Sequence, residues 1–558
     1  MSFREHHPFR ISTRAAVAGV ALVAAAGALA ASSRDATISV DHMVATVKYL
    51  ASDELEGRGP GSRGEQKAVA YISDQLKKMG CAPGNPDGSY TQKVPMYGFE
   101  VTNAPALVVR GADGRNEKRF EPGTQFVGWT LRQVTETSVE DAEMVFVGYG
   151  VDAPEYKWND FKTDVRGKVI VLLVNDPPVA DATLFGGKAM TYYGRWTYKF
   201  EQAALMGAAG AILVHNTNDA GYPWAVVENS WSGEQFDVVR TDQGSSRCAF
   251  ESWVTEDAAR DLFAAAGRSF DDDKKAACSR DFQPVALGLT ASVDVKARSR
   301  TIESYNVVAK VAGSGQLADE WIVYTAHWDH LGIGKPADGD SIYNGALDNA
   351  SGVAGVMEIA RAFATHQRPI MRSVLFVFTT GEESGLLGAT YYTEHPLYPL
   401  QKTIAEMNVD GLNIWGRTED MVVVGYGQSD LEETLAEVIA PANRRIAPDS
   451  EPEKGYYYRS DHFPFAKKGV PALYADSGVE YRDRPAGWGL ERRKEYVAER
   501  YHKPQDQYDA SWDLSGAAED MDALFKVGLT LANSERTPQW SETSEFRRAR
   551  EAMMKGSK

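Results

Sequence analysis

The sequence predicts an α/β fold: a mixed central sheet covered by helices and carrying a β-rich insertion. Three observations predict it. From Ser304 onward, runs that are apolar on both faces alternate with helical segments, which is the pattern of a sheet buried between helices. Between residues 136 and 215 the pattern changes to short β-like runs, AEMVFVGYG, GKVIVLLVND and AGAILVHN, separated by turn residues. Finally, 558 residues with 43% hydrophobic content exceed one typical domain.

The chain opens with Arg4, Arg10 and Arg14 ahead of an apolar, Ala-rich run from Ala15 to Ala31, with small residues at Ala28 and Ala30. This is the layout of an export signal, assigned to residues 1–30, and the run is shorter than the roughly 20 residues needed to span a bilayer. The mature protein is therefore expected to be exported, periplasmic or secreted, with no stable membrane insertion after signal cleavage. The formal charge of -17, with 77 acidic against 60 basic residues, argues against non-specific nucleic-acid binding. Three cysteines, Cys81, Cys248 and Cys278, are too few for a disulfide scaffold or a thiolate metal site. The spacing of Cys248 and Cys278 allows them to pair, leaving Cys81 buried and single.

Helical spacing runs over residues 39–51 and 64–80, with Gly80 placed to end the second helix. Between them SDELEGRGPGSRG reads as a loop, at the surface or facing a site. The organisation expected beyond is an N-terminal part of the main domain at 31–120, an insertion at 121–299, the body of the main domain at 300–535, and a charged tail at 536–558 in which Trp540 and Phe546 could dock a short helix. Within the insertion KFEQAALMGA reads as a helix, and Tyr192, Tyr193, Trp196, Tyr198, Trp224 and Trp231 either line an entrance or pack in cores and interfaces. The main domain offers strands in SYNVVAKVAG, EWIVYTAHWDH, RSVLFVFTTGEE, TIAEMNVDG, MVVVGYG and VPALYADSG, and helices at 349–366 and 430–445.

The chemistry-bearing residues fall where those strands end. In α/β sheets, sites form beyond the carboxyl ends of the strands. His327 closes one strand, with Asp329 two residues on as a candidate to fix its tautomer. Asp348 precedes the helix at 349 and is either its N-cap or a carboxylate shared by two cations. Glu382 and Glu383 are adjacent acids at the mouth of a buried strand, a costly pair unless a cation neutralises them. Glu383 then suits a ligand and Glu382 a base. Asp410 ends a further strand, and His502 lies in the polar stretch ERYHKPQDQYD. Two histidines and three carboxylates from separated segments make a nitrogen and oxygen donor set suited to a pair of zinc ions.

The segments HWD, LDNASG, TTGEESGLLG, NVDG, RSDHFPF and YHKPQDQYD together resemble the M28 family of co-catalytic zinc metallopeptidases, over roughly residues 38–120 and 300–530. The middle block resembles a protease-associated domain inserted into that zinc-exopeptidase, phosphorylase/hydrolase-like fold. The resemblance implies two zinc ions, one held by His327 and Asp410 and the other by Glu383 and His502, with Asp348 bridging. It implies Glu382 as general base, Asp329 behind His327, and a tyrosine of the YYY run, Tyr457 with Tyr458 as competitor, polarising the carbonyl. The implied activity is removal of N-terminal residues from peptides with a free N-terminus. Carboxypeptidase, dipeptidase, single-zinc cyclase-like and non-catalytic receptor readings stay open.

Overall fold

The computed structural model describes residues 38–556 apart from 112–116, 180, 182 and 232. The expected export segment lies outside the described residues. No helix among the described residues is long and apolar enough to cross a membrane.

Two amphipathic helices open the fold, α1 (Val40–Leu50) and α2 (Arg63–Met79). The Ser39 and Ser62 hydroxyls cap them, and Gly80, at φ +89°, closes α2 in the left-handed conformation that its position requires. The central sheet follows: β1 (Thr91–Val101), β2 (Val285–Val311), β3 (Trp321–His327), β4 (Ser373–Thr379), β5 (Thr403–Asn408), β6 (Asp420–Val424) and β7 (Ala472–Ser477). Their order across the sheet is β1-β2-β4-β3-β5-β7-β6. The inner four, β4, β3, β5 and β7, run parallel, while β2 and β6 flank them antiparallel. Every residue of β3, β4 and β5 is buried, which explains their unbroken apolar reading.

Helices cover both faces. On one face α3 (Gly352–Thr365) packs with α1 and α2 in a large core that includes Tyr324, Phe363 and Phe376. On the other, α4 (Leu387–Glu394) lies against Val323, Leu375 and Val377. The helix expected over 430–445 stops as α5 (Leu431–Ile439), because Pro441 cannot continue it, and Arg445–Pro448 becomes an edge strand against β6. Beyond it come α6 (His462–Lys467), α7 (Ser515–Ala532) and α8 (Arg547–Lys555).

The insertion has its own sheet. Strands Glu136–Phe146, Val169–Leu173, Gly210–His215 and Phe250–Thr255 are joined in parallel. The 27-residue β2 belongs to both bodies, pairing with Glu136–Phe146 over its first half and with β1 and β4 over its second. The second core starts earlier than residue 121: Leu107, Val109 and Phe120 already pack in it, since Leu107–Gly111 pairs with β2. Cys248 and Cys278 do not pair. All three cysteines are free; Cys248 packs in the core on one face of this sheet and Cys278 against the core of the other.

The aromatic residues divide between packing roles. Trp196, Trp224 and Trp231 pack against the insertion's core. Tyr192 and Tyr198 join Tyr457, Tyr458, Phe463, Trp540 and Phe546 in a cluster at the seam between the two bodies. Glu545 of the tail ties that seam, accepting from the Tyr192 amide (3.0 Å) and the Tyr458 hydroxyl (2.6 Å).

Candidate metal centre

The register of the sheet creates the site. His327 at the end of β3 pairs with Thr379 of β4, and Thr325 pairs with Asn408 of β5, so the loops after three neighbouring parallel strands open at one edge. Those loops bring His327, Glu382, Glu383 and Asp410 together. Two groupings have donor atoms within 4.8 Å of one another, His327 with Asp348 and Glu383, and His327 with Glu382 and Asp410.

Pair distances resolve two corners. At the first, Nε2 of His327 lies 3.2 Å from Asp348 Oδ1 and 3.1 Å from Asp410 Oδ1. At the second, Nε2 of His502 lies 3.2 Å from Asp348 Oδ2 and 3.0 Å from Glu383 Oε2. Asp348 thus offers one oxygen to each corner. It is free to do so because Asn349, not Asp348, caps the helix: Asn349 Oδ1 accepts from the amides of Gly352 (2.9 Å) and Gly411 (2.8 Å). Asp348 itself is held from behind, where the Asp506 carboxylate accepts from the amides of Leu347 and Asp348 (3.0–3.2 Å).

The orientation of His327 comes from Asp329, though chiefly through its backbone. The Nδ1–H donates to the Asp329 carbonyl at 3.1 Å, while the carboxylate is 3.8 Å away and accepts instead from the Glu382 amide at 3.2 Å. With Nδ1 donating, the Nε2 lone pair faces Asp348 and Asp410. Lone pair against carboxylate at that range is repulsive unless a proton or a cation stands between them. Glu382 places Oε2 4.0 Å from His327 Nε2 and makes no side-chain hydrogen bond. Asp410 accepts from the Ser460 hydroxyl at 2.6 Å.

Electrostatics point the same way. Six carboxylates, Asp329, Asp348, Glu382, Glu383, Asp410 and Asp461, surround the corners, and the Arg58 guanidinium is coupled to Asp329, Asp348 and Glu383 among them. Burial raises the Glu382 carboxyl well above its usual range, and the nearby Asp410, Glu383 and Asp461 charges add to this against His327. Burial alone would pull His327 down, but Glu382, Asp410 and Asp348 hold it well above the ordinary histidine range. Buried acids in this excess call for positive charge.

Several residues of the site carried little signal in the sequence. His330, the last residue of HWDH, sits with Nδ1 2.5 Å from Glu383 Oε1 and so aims Glu383 at His502. Arg58 is fully buried and donates to the carbonyls of Leu50, Trp328, Asn344 and Gly345, so the Gly-rich loop faces the site from below. Tyr457 is not at the site: its hydroxyl is buried without a partner, and its ring packs on His462, Tyr458 and Phe546. The cluster's charges reach other tyrosines: burial and then Asp348, Glu383, Glu382 and Asp410 raise the pKa of Tyr501, Asp410 and Glu382 add to the effect of burial at Tyr474, and Asp348 adds to it at Tyr496.

Residues 306–525 match the model of peptidase family M28. Curated relatives match at modest identity. A vacuolar membrane protease of Arthroderma otae is 26% identical over 162 residues, 25% of this chain and 16% of that protein. A probable leucine aminopeptidase 2 of Aspergillus oryzae is 26% identical over 236 residues, 42% of this chain and 35% of that protein. The chain therefore spans about a sixth to a third of the length of these relatives. Among solved structures, an aminopeptidase from Aneurinibacillus sp. strain AM-1 superposes with TM-score 0.48 and 19% identity, covering 90% of this chain and 96% of that one.

Proposed function

We propose that this chain is an exported di-zinc aminopeptidase of peptidase family M28. The observation that carries the reading is Asp348 turning one oxygen to His327 and Asp410 and the other to His502 and Glu383. The donor set fits two zinc ions: one imidazole and one terminal carboxylate at each corner, a shared carboxylate, and no cysteine. His327 and Asp410 would hold one ion, His502 and Glu383 the other, with Asp348 between them. Bound there, the cations supply Lewis acidity and make a hydroxide nucleophile accessible at neutral pH.

The chain's own residues supply the rest. Glu382, whose carboxylate has no hydrogen-bond partner among the described residues, takes a proton from the attacking water at a carboxylate oxygen and passes it to the leaving amine. Asp329 accepts from the Glu382 amide and from His327 through its carbonyl, so one residue positions both base and ligand. Tyr501 stacks on His502 with ring centroids 3.8 Å apart and is assigned the hydroxyl that steadies the carbonyl oxygen as charge develops, in place of Tyr457. The acidic surroundings suit a substrate's cationic N-terminus. The insertion is read as a protease-associated domain whose seam borders this site.

Digestion of a peptide library with mass readout, with and without chelator, tests the reading. Expected are single residues lost from free N-termini and restoration by zinc at two ions per chain. Cleavage of N-acetylated peptides would replace it with a carboxypeptidase or dipeptidase, and inert, zinc-free protein with a binding module. Glu382→Gln should lower kcat at least ~10³-fold with metal content unchanged, and Tyr501→Phe about 10²-fold. N-terminal sequencing of the mature protein checks export.

A further inference from the structure

Glu406 stands within β5, a strand buried on both faces, and is 0% exposed. Among the described residues no cation makes an ion pair with it, and its Oε2 is enclosed without a hydrogen-bond partner. An ionised carboxylate in that position would forfeit its water and receive little in return. Its other oxygen, Oε1, opens a line of contacts that runs to the metal centre.

Strand register builds that line. Thr325 of β3 lies opposite Asn408 of β5, and Asn408 and Glu406, two residues apart, share one face of their strand. The Thr325 hydroxyl oxygen is 2.6 Å from Glu406 Oε1 and 2.7 Å from Asn408 Oδ1. The Asn408 amide nitrogen is 2.6 Å from Ser460 Oγ, which is in turn 2.6 Å from Asp410 Oδ2. The other oxygen of Asp410, Oδ1, faces His327 Nε2 at 3.1 Å. Four contacts of hydrogen-bond length therefore join five side chains.

The supply of hydrogens decides where a proton must sit. With both terminal acids ionised, Thr325 brings one hydrogen, Ser460 brings one, and the Asn408 amide can direct one to a single neighbour while its oxygen faces the other: three for four contacts. As the side chains stand, Asn408 serves Ser460, Ser460 serves Asp410, and Thr325 cannot serve both Glu406 and Asn408. Turning the amide over moves the shortage to Ser460 without removing it. A fourth hydrogen has to come from one of the terminal acids. Asp410 is partly exposed, at 18%, and borders the proposed cations, whereas burial, with Asp461 adding to it, raises the Glu406 pKa well above the carboxylate range.

We propose that Glu406 is a protonated acid that positions Asp410 through Thr325, Asn408 and Ser460. The Glu406 hydroxyl donates to Thr325, Thr325 to Asn408 Oδ1, Asn408 to Ser460, and Ser460 to Asp410 Oδ2, which leaves Oδ1 for the cation. The positioning role rests on the di-zinc reading; the place of the proton does not.

Infrared spectroscopy of the wild-type chain against Glu406→Gln at neutral pH tests the proton. This variant matches Glu406 in shape and keeps a donor for Thr325. The difference spectrum should contain a carboxylic-acid carbonyl band that moves in D2O, and carboxylate bands in its place would overturn the assignment. Zinc affinity by chelator competition tests the positioning. Glu406→Met, which lacks a donor, should weaken one of the two ions about 10- to 100-fold, while Glu406→Gln stays within about twofold of wild type. Thr325→Val cuts the same line and Thr325→Ser restores it, which supplies the comparison if Glu406→Met does not fold. Unchanged zinc affinity in the folded Met or Val variant would overturn the positioning role. A wild-type chain that binds no zinc would instead end the di-zinc reading and that role with it, and the infrared band would still decide the proton.

Discussion

The central sheet and the insertion each end a buried parallel strand in a histidine, and the two histidines have opposite fates. His327 closes β3 between β4 and β5, and His215 closes Gly210–His215 between Val169–Leu173 and Phe250–Thr255. Both are almost fully buried, at 1% and 4% exposure. His215 contacts the Tyr222 carbonyl at 3.0 Å and the rings of Trp224 and Trp253, and burial lowers its pKa. The acids that follow the neighbouring strands of the insertion are already matched. Asp176 accepts from the Thr191 amide and hydroxyl and faces Lys199, while Glu256 pairs with Arg260 at 2.6 Å. Around His327 the acids face imidazoles and one another instead. Uncompensated carboxylate, not a strand-end histidine, marks the candidate cation site.

Breaking the bridge tests this contrast with the largest effect. Asp348→Ala removes an oxygen from both corners, so metal content should fall below one ion per chain and kcat/KM by about 10⁴-fold or to background. His215→Gln should leave both within about twofold. Metal analysis by mass spectrometry alongside kinetics reads the difference. Two ions retained by Asp348→Ala would show that the corners bind independently, and the assignment of a shared carboxylate would fall.

The same contrast shows what a sequence discloses. Strands β3, β4 and β5 are legible because both their faces are buried, and the acids after them are legible because a buried run ending in Gly-Glu-Glu or Val-Asp has few other physical explanations. The competition for Asp348 was not decidable there: Asp348 and Asn349 are both good caps, and tertiary contacts with Val409 and Gly411 select Asn349. Arg58 was invisible for a different reason. Its acceptors are backbone carbonyls, three of them more than 200 residues distant, and a carbonyl leaves no mark in composition. The YYY run misled because three consecutive tyrosines say nothing of direction, and one turn of helix sends Tyr457 into the aromatic seam.

A smaller effect sharpens the comparison through pH. His215 titrates below the ordinary histidine value of about 6.5, so between those values the unfolded chain holds a proton that the folded chain refuses. Stability from this group is present above about pH 6.5 and is lost as pH falls below it, at no more than ~1.4 kcal/mol per pH unit. Denaturant unfolding of the metal-loaded protein at pH 7.5 and 5.5 should therefore show a shallower loss for His215→Gln than for the wild-type chain. An identical slope would mean that folding leaves the His215 pKa unshifted, and a steeper loss for His215→Gln would mean that the fold favours its protonated form as it does at His327.

The smallest effect is expected at Tyr457. Its hydroxyl is buried without an acceptor, and its ring is pinned against Gly425, where an added Cβ would come within 2.1 Å of the ring. The neighbouring charges that raise its pKa after burial are Glu545, Glu406 and Glu432, none of them part of the acid cluster around His327. Tyr457→Phe removes only an unsatisfied polar atom and keeps the packing, so stability should stay level or rise by up to ~1 kcal/mol, and kcat/KM should change less than about twofold. Thermal unfolding and steady-state kinetics check both. A tenfold loss of kcat with unchanged stability would place the turn at Tyr456–Tyr458 within reach of the reacting carbonyl and remove the assignment of that task to Tyr501.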